Sequence, residues 1–114
     1  MNTSRLEEMV NGWFVGAFDP TAHRTQACEV AVKTYLAGAV EPAHFHKVAT
    51  EITLVLSGTV RMCGRDFSAG DIVVLQPGEV TSFQALTDTT NVVVKVPGVS
   101  NDKYLVDPSL GEAS

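Results

Sequence analysis

His44 and His46 stand one residue apart, and on an extended strand that spacing turns both imidazoles to the same side. Glu51 follows across Lys47-Val48-Ala49-Thr50, a connection long enough to return the chain beside the first strand and bring a carboxylate back to the two rings. Two imidazole nitrogens and one carboxylate oxygen suit a divalent transition metal such as Fe, Mn, Zn or Ni, and this set is the facial triad of non-haem iron sites. Three protein ligands leave coordination positions open, as metal catalysis requires. The other reactive side chains are less promising. His23 lies in the loop Asp19 to Thr25 and reads as a surface histidine. Cys28 and Cys63 are too few for a disulfide scaffold and too far apart for a CxxC site, so both read as buried, reduced small hydrophobes. No glycine-rich phosphate loop or dinucleotide fingerprint is present.

The elements that must position these residues are short strands. From Trp13 onward, Gly and Pro recur at intervals too short for helices, and β-rich stretches lie between them. Strands are expected near Trp13 to Phe18, Glu29 to Leu36, Ala43 to His46, Glu51 to Leu56, Thr59 to Met62, Asp71 to Leu75, Val80 to Leu86 and Val92 to Val96. Strands so many and so short predict an all-β sandwich or small barrel. Ser4 followed by Glu7 has the form of a capping box, so residues 1–12 are expected to open with a short helix, ahead of a single domain over 13–106. The last residues, 107–114, read as a frayed tail. Alternation sets Glu51, Thr53 and Val55 on one face of their strand and Ile52, Leu54 and Leu56 on the other. Lys33 and Lys95 likewise share a half-polar face with their alternate neighbours. Such a face meets water in an open antiparallel sheet, or an interior cavity in a closed barrel. Tyr35, Phe45 and Phe83 are the aromatics best placed to line that cavity, and Lys95 with Asp102-Lys103-Tyr104 would anchor an anion if they reach its mouth.

Read in full, the histidine segment is GAVEPAHFHKVATEITLVLSG, from Gly38 to Gly58. It resembles the first motif of the cupin superfamily at every fixed position and spacing. The stretch GDIVVLQPGEVTSFQA, Gly70 to Ala85, is similar to the second motif, with departures. Gln76 stands where proline is usual, Thr81 where the last metal-binding histidine is expected, and Ala85 at the usual asparagine. The resemblance implies a double-stranded β-helix, a barrel of jelly-roll topology, with His44, His46 and Glu51 as metal ligands. Two readings of the missing histidine stay open. Either the site is degenerate and the barrel is a non-catalytic small-molecule or carbohydrate-binding module or sensor, or three ligands suffice and the open positions take substrate. In the second case Thr81 would hydrogen-bond a water or substrate oxygen, and Gln76 would be a fourth ligand or a substrate contact.

With 114 residues, 45% hydrophobic and 18% charged, the chain fits one compact domain. Its net charge of −5 and its lack of a basic cluster argue against nucleic acid. Apolar runs of about four residues cannot span a bilayer, and no signal peptide is legible, so a cytoplasmic location is the default. The expected activity is that of a metal-dependent oxygenase, isomerase or lyase on a small polar metabolite. The resemblance also implies a homodimer, for which the apolar stripe Ile52, Leu54, Leu56 is suited.

Overall fold

The structure is a computed structural model that describes residues 1–106. The tail expected over 107–114 lies outside the described residues. Strands β1 (Trp13–Val15), β2 (Glu29–Tyr35), β9 (Thr89–Val96), β4 (Thr50–Ser57) and β7 (Ile72–Leu75) lie in that order in one antiparallel sheet. The second sheet runs β10 (Lys103–Leu105), β3 (Val40–His46), β8 (Thr81–Ala85), β5 (Thr59–Met62) and β6 (Arg65–Ser68). Inner-face residues of both sheets meet in one core, Val55 and Leu75 from the first against Val60, Met62, Phe83 and Ala85 from the second. Along β4 the inward row is Glu51, Thr53 and Val55, all buried, while Ile52 and Leu54 are half-buried on the outer face and Leu56 is exposed.

Three expectations are corrected. The opening helix is only a 3-10 turn, Leu6–Glu8, whose N-cap is Arg5 with no side-chain cap. Arg5 itself takes Glu7, at 2.8 Å, so the box does not close. Asn11 and Gly12 then adopt φ of 51° and 82°, and the Trp13 N–H donates to the Val10 carbonyl, which makes a tight reverse turn no helix can cross. A Cβ at Gly12 would stand 1.9 Å from the Val32 carbonyl oxygen, so the turn packs against β2 as only glycine permits.

The second correction adds β6 and β10, which local signals did not reveal. Between β5 and β6 the two-residue turn is Cys63-Gly64, with φ of 52° and 72°. Its positive φ values are those of the hairpin turn that usually carries Asn-Gly, and cysteine hid the signal. Third, Cys63 at this turn is exposed, and Cys28 is only half-buried.

Candidate metal centre and cavity

Pro42 shapes the histidine strand. Lacking an N–H, it cannot complete the ladder, and the register between β3 and β8 shifts between Glu41 and His44. The extra residue reverses the alternation, so Glu41 and His44, three positions apart, both line one cavity. Beyond the bulge, His44 and His46 are buried on the same side, and Glu51 is buried at the start of β4. One donor atom from each of these three residues lies within 4.8 Å of the others.

The rings are held by their second nitrogens. His44 Nδ1 is 3.0 Å from the Pro42 carbonyl, and His46 Nδ1 is 2.9 Å from that of Asp102. A carbonyl can only accept, so each Nδ1 carries the proton and, in the neutral ring, each Nε2 presents a lone pair. His46 Nε2 is buried and has no hydrogen-bond partner among the described residues. It stands 3.6 Å from Glu51 Oε1, too far for a hydrogen bond but a span two ligands of one ion, each about 2.1 Å from it, can cover. His44, His46 and Glu51 thus form a group able to hold a metal ion. Contact with the Glu51 carboxylate raises the His46 pKa against burial, which lowers it. Burial would raise the Glu51 carboxyl, yet His46 and the charge of Lys95 outweigh it and hold it below the usual value.

Asp102, expected at the cavity mouth or in solvent, is instead buried. Its carboxylate accepts from the backbone N–H groups of Lys47, Val48 and Ala49 at 2.9 to 3.3 Å, closing the β3–β4 turn around the same residue whose carbonyl orients His46. Burial pushes its pKa up, and these donors with His46 bring it below the usual range.

The cavity above the three ligands has a volume of about 260 Å³ and is walled by both sheets and by Asn11 and Trp13 of the N-terminal segment. Lys33, Tyr35, Thr81, Phe83 and Lys95 line it, so the polar face of β2 and β9 turns inward. Tyr35 packs on Phe83 with ring centroids 4.5 Å apart and donates its hydroxyl to Glu41 at 3.0 Å. Burial and the Glu41 carboxylate push its pKa far up, so it remains a donor. The Thr81 hydroxyl donates to the Ser82 carbonyl and accepts weakly from Cys63 Sγ. Two expected residues lie elsewhere. Gln76 is exposed, where the Thr50 hydroxyl donates to it, and Phe45 faces away from the histidines and stacks on Tyr104 at 5.5 Å. Glu41 was hidden by the bulge, whereas Thr53 and Asn91, also in the lining, were legible as alternate neighbours of Glu51 and Lys95.

No sequence-family model matches the chain, and no curated protein matches it. Solved structures do. A double-stranded β-helix domain protein from Klebsiella pneumoniae is 25% identical, with 72% of each chain covered and a TM-score of 0.66. A cupin from Bacteroides fragilis is 26% identical over 70% of this chain and 74% of that one, with a TM-score of 0.56. The chain has the fold of a small cupin domain. The DMSP lyase DddQ from Ruegeria pomeroyi, 20% identical, shares this cupin's fold over 84% of this chain and 50% of its own, with a TM-score of 0.70. The cupin motif glycines Gly38, Gly58, Gly70 and Gly78 all have positive φ at turns. At Gly58 a Cβ would also lie 2.3 Å from the Asp88 carbonyl oxygen, so this turn accepts no other residue without moving. No helix among the described residues is long and apolar enough to cross a membrane.

Proposed function

We propose that this cupin is a metal-dependent enzyme acting on a small polar metabolite, with His44, His46 and Glu51 as ligands. The observation that carries the reading is the buried, unpartnered Nε2 of His46. An acceptor sealed from water with nothing to accept from costs roughly 1–3 kcal/mol, and a cation between it and Glu51 removes that cost. A bound ion would supply polarisation of a substrate oxygen, for isomerase or lyase chemistry with Mn, Zn or Ni, or dioxygen activation with Fe. The chain's own residues do the rest. The Pro42 and Asp102 carbonyls fix the imidazoles, Tyr35 holds its proton toward Glu41, and Met62, Phe83 and Val93 keep the inner wall dry. Elemental analysis of the purified protein, followed by titration with Fe(II), Mn(II), Zn(II) and Ni(II), tests the reading. Near-stoichiometric uptake is expected, and no uptake of any of the four would refute it. A homodimer is the expected state, paired through the outer face of β4 and β7, where Ile72 is 63% and Val74 48% exposed beside Ile52 and Leu54. Sedimentation at micromolar concentration should give a dimer.

A further inference from the structure

The cavity of this acidic protein is basic. Lys33, Lys95 and Lys103 line it from β2, β9 and β10, against only two carboxylates, Glu41 and Glu51. Among the described residues none of the three ammoniums is in a salt bridge. Lys95 shares a cross-strand register with Glu51, yet its ammonium is drawn over the Trp13 ring, 4.9 Å from the centroid. Lys33 approaches the same ring at 5.9 Å and makes one bond, to the Asn11 carbonyl at 3.2 Å. Burial lowers the Lys33 pKa, and Lys103 and Lys95 lower it further while Glu41 raises it. Two half-buried cations gathered on one indole, with donors to spare, are a costly arrangement that an anion would relieve.

From this we infer that the cavity binds a small organic carboxylate, its anionic end held by Lys95 and Lys33 beside Trp13. The carbon skeleton would lie against Met62, Phe83 and Val93, and Asn91 Oδ1, buried in the same lining and unpartnered among the described residues, offers an acceptor for a hydroxyl or N–H on the ligand. A phosphate fits less well. The lining contains no arginine fork and no helix N-terminus, and its apolar wall would be idle against an inorganic ion. The inference names the substrate class for the proposed enzyme and rests on that reading for catalysis, but binding itself does not require the metal.

Trp13 is the chain's single tryptophan, so its fluorescence reports the site directly. Metal-free and Mn(II)-loaded protein would each be titrated with malonate, succinate and glutarate, with their dimethyl esters, and with inorganic phosphate at matched ionic strength. Saturable change with at least one dicarboxylate and none with its ester is expected. Lys95→Met should weaken that binding about tenfold and Lys33→Met less, since Lys33 is partly held by Asn11. Lys95→Gln serves as the second variant if Lys95→Met melts early. Failure of every dicarboxylate in both forms overturns the inference, as does undiminished binding by both Lys95 variants or phosphate binding as tight as the best dicarboxylate. Mn(II) uptake is followed separately by the metal-induced rise in melting temperature. Carboxylate binding without Mn(II) uptake would remove the metal reading alone, and Mn(II) uptake without carboxylate binding would remove this one alone.

Discussion

The two ends of the barrel are built from the same strands and differ in almost every physical respect. At one end Val55, Val60 and Ala85 close an apolar core; at the other His44, Glu51, Lys33 and Lys95 line an open polar cavity. Strand β4 passes through both, presenting Glu51 and Thr53 to the cavity and Val55 to the core. A sheet therefore does not assign one polarity to a face. Each inward position is set by what lies across from it, and the apolar end holds the frame in which unpartnered polar groups can persist at the other.

Phe83 belongs to both ends, and Phe83→Ala should have the largest effect, about 3–5 kcal/mol of stability lost in urea denaturation, because the core and the Tyr35 contact go together. Glu51→Gln should spare the core and damage only the open end. Metal affinity should fall by about ten- to hundredfold or more, and above pH 4.5 the metal-free melting temperature should also fall, since the amide forfeits the attraction of His46 and Lys95 that favours the ionised carboxylate. A metal-induced rise in melting temperature that survives this substitution undiminished would remove Glu51 from the ligand set. Asp102→Asn should cost about 1–2 kcal/mol, because an amide oxygen replaces only half of the acceptor that ties down Lys47, Val48 and Ala49.

The open end should also dominate the pH response. The Asp102 and Glu51 carboxyls are held below their ordinary values of 3.8 and 4.5, so the stability they confer is full above those values and is lost as pH falls through the lowered pKa. His46 is raised above 6.5, so its contribution to the metal-free protein is full below that value and is lost as pH rises through the raised pKa. These groups place the metal-free optimum between about pH 4.5 and 6.5. A metal ion, which must displace the His46 proton, should move the optimum upward, and denaturation across pH with and without Mn(II) checks both signs. The smallest effect belongs to the β5–β6 turn, whose Cys63 reaches the site only through its weak bond to Thr81. Cys63→Asn should leave metal binding untouched and stabilise the β5–β6 turn by about 0.5 kcal/mol or less, because asparagine accepts the left-handed backbone more readily than cysteine.

Period-two alternation in the sequence determined which residues share a face: His44 with His46, Glu51 with Thr53, and the set containing Lys95. Spacing also put a carboxylate within reach of the two histidines, and Gly and Pro marked most of the turns. The direction in which a shared face turns was a tertiary matter, since alternation is the same whether the polar side meets water or a cavity. Glu41 joined the site only through the bulge at Pro42, and Gln76 and Phe45 left it because their backbone positions point elsewhere. Asp102 acquired its role from donors 53 to 55 residues away, and Trp13 its place between two lysines from a turn that replaced a helix. Local pattern carries information over a few residues, whereas burial, partnership and charge are set by contacts that the chain makes only after its distant segments have come together.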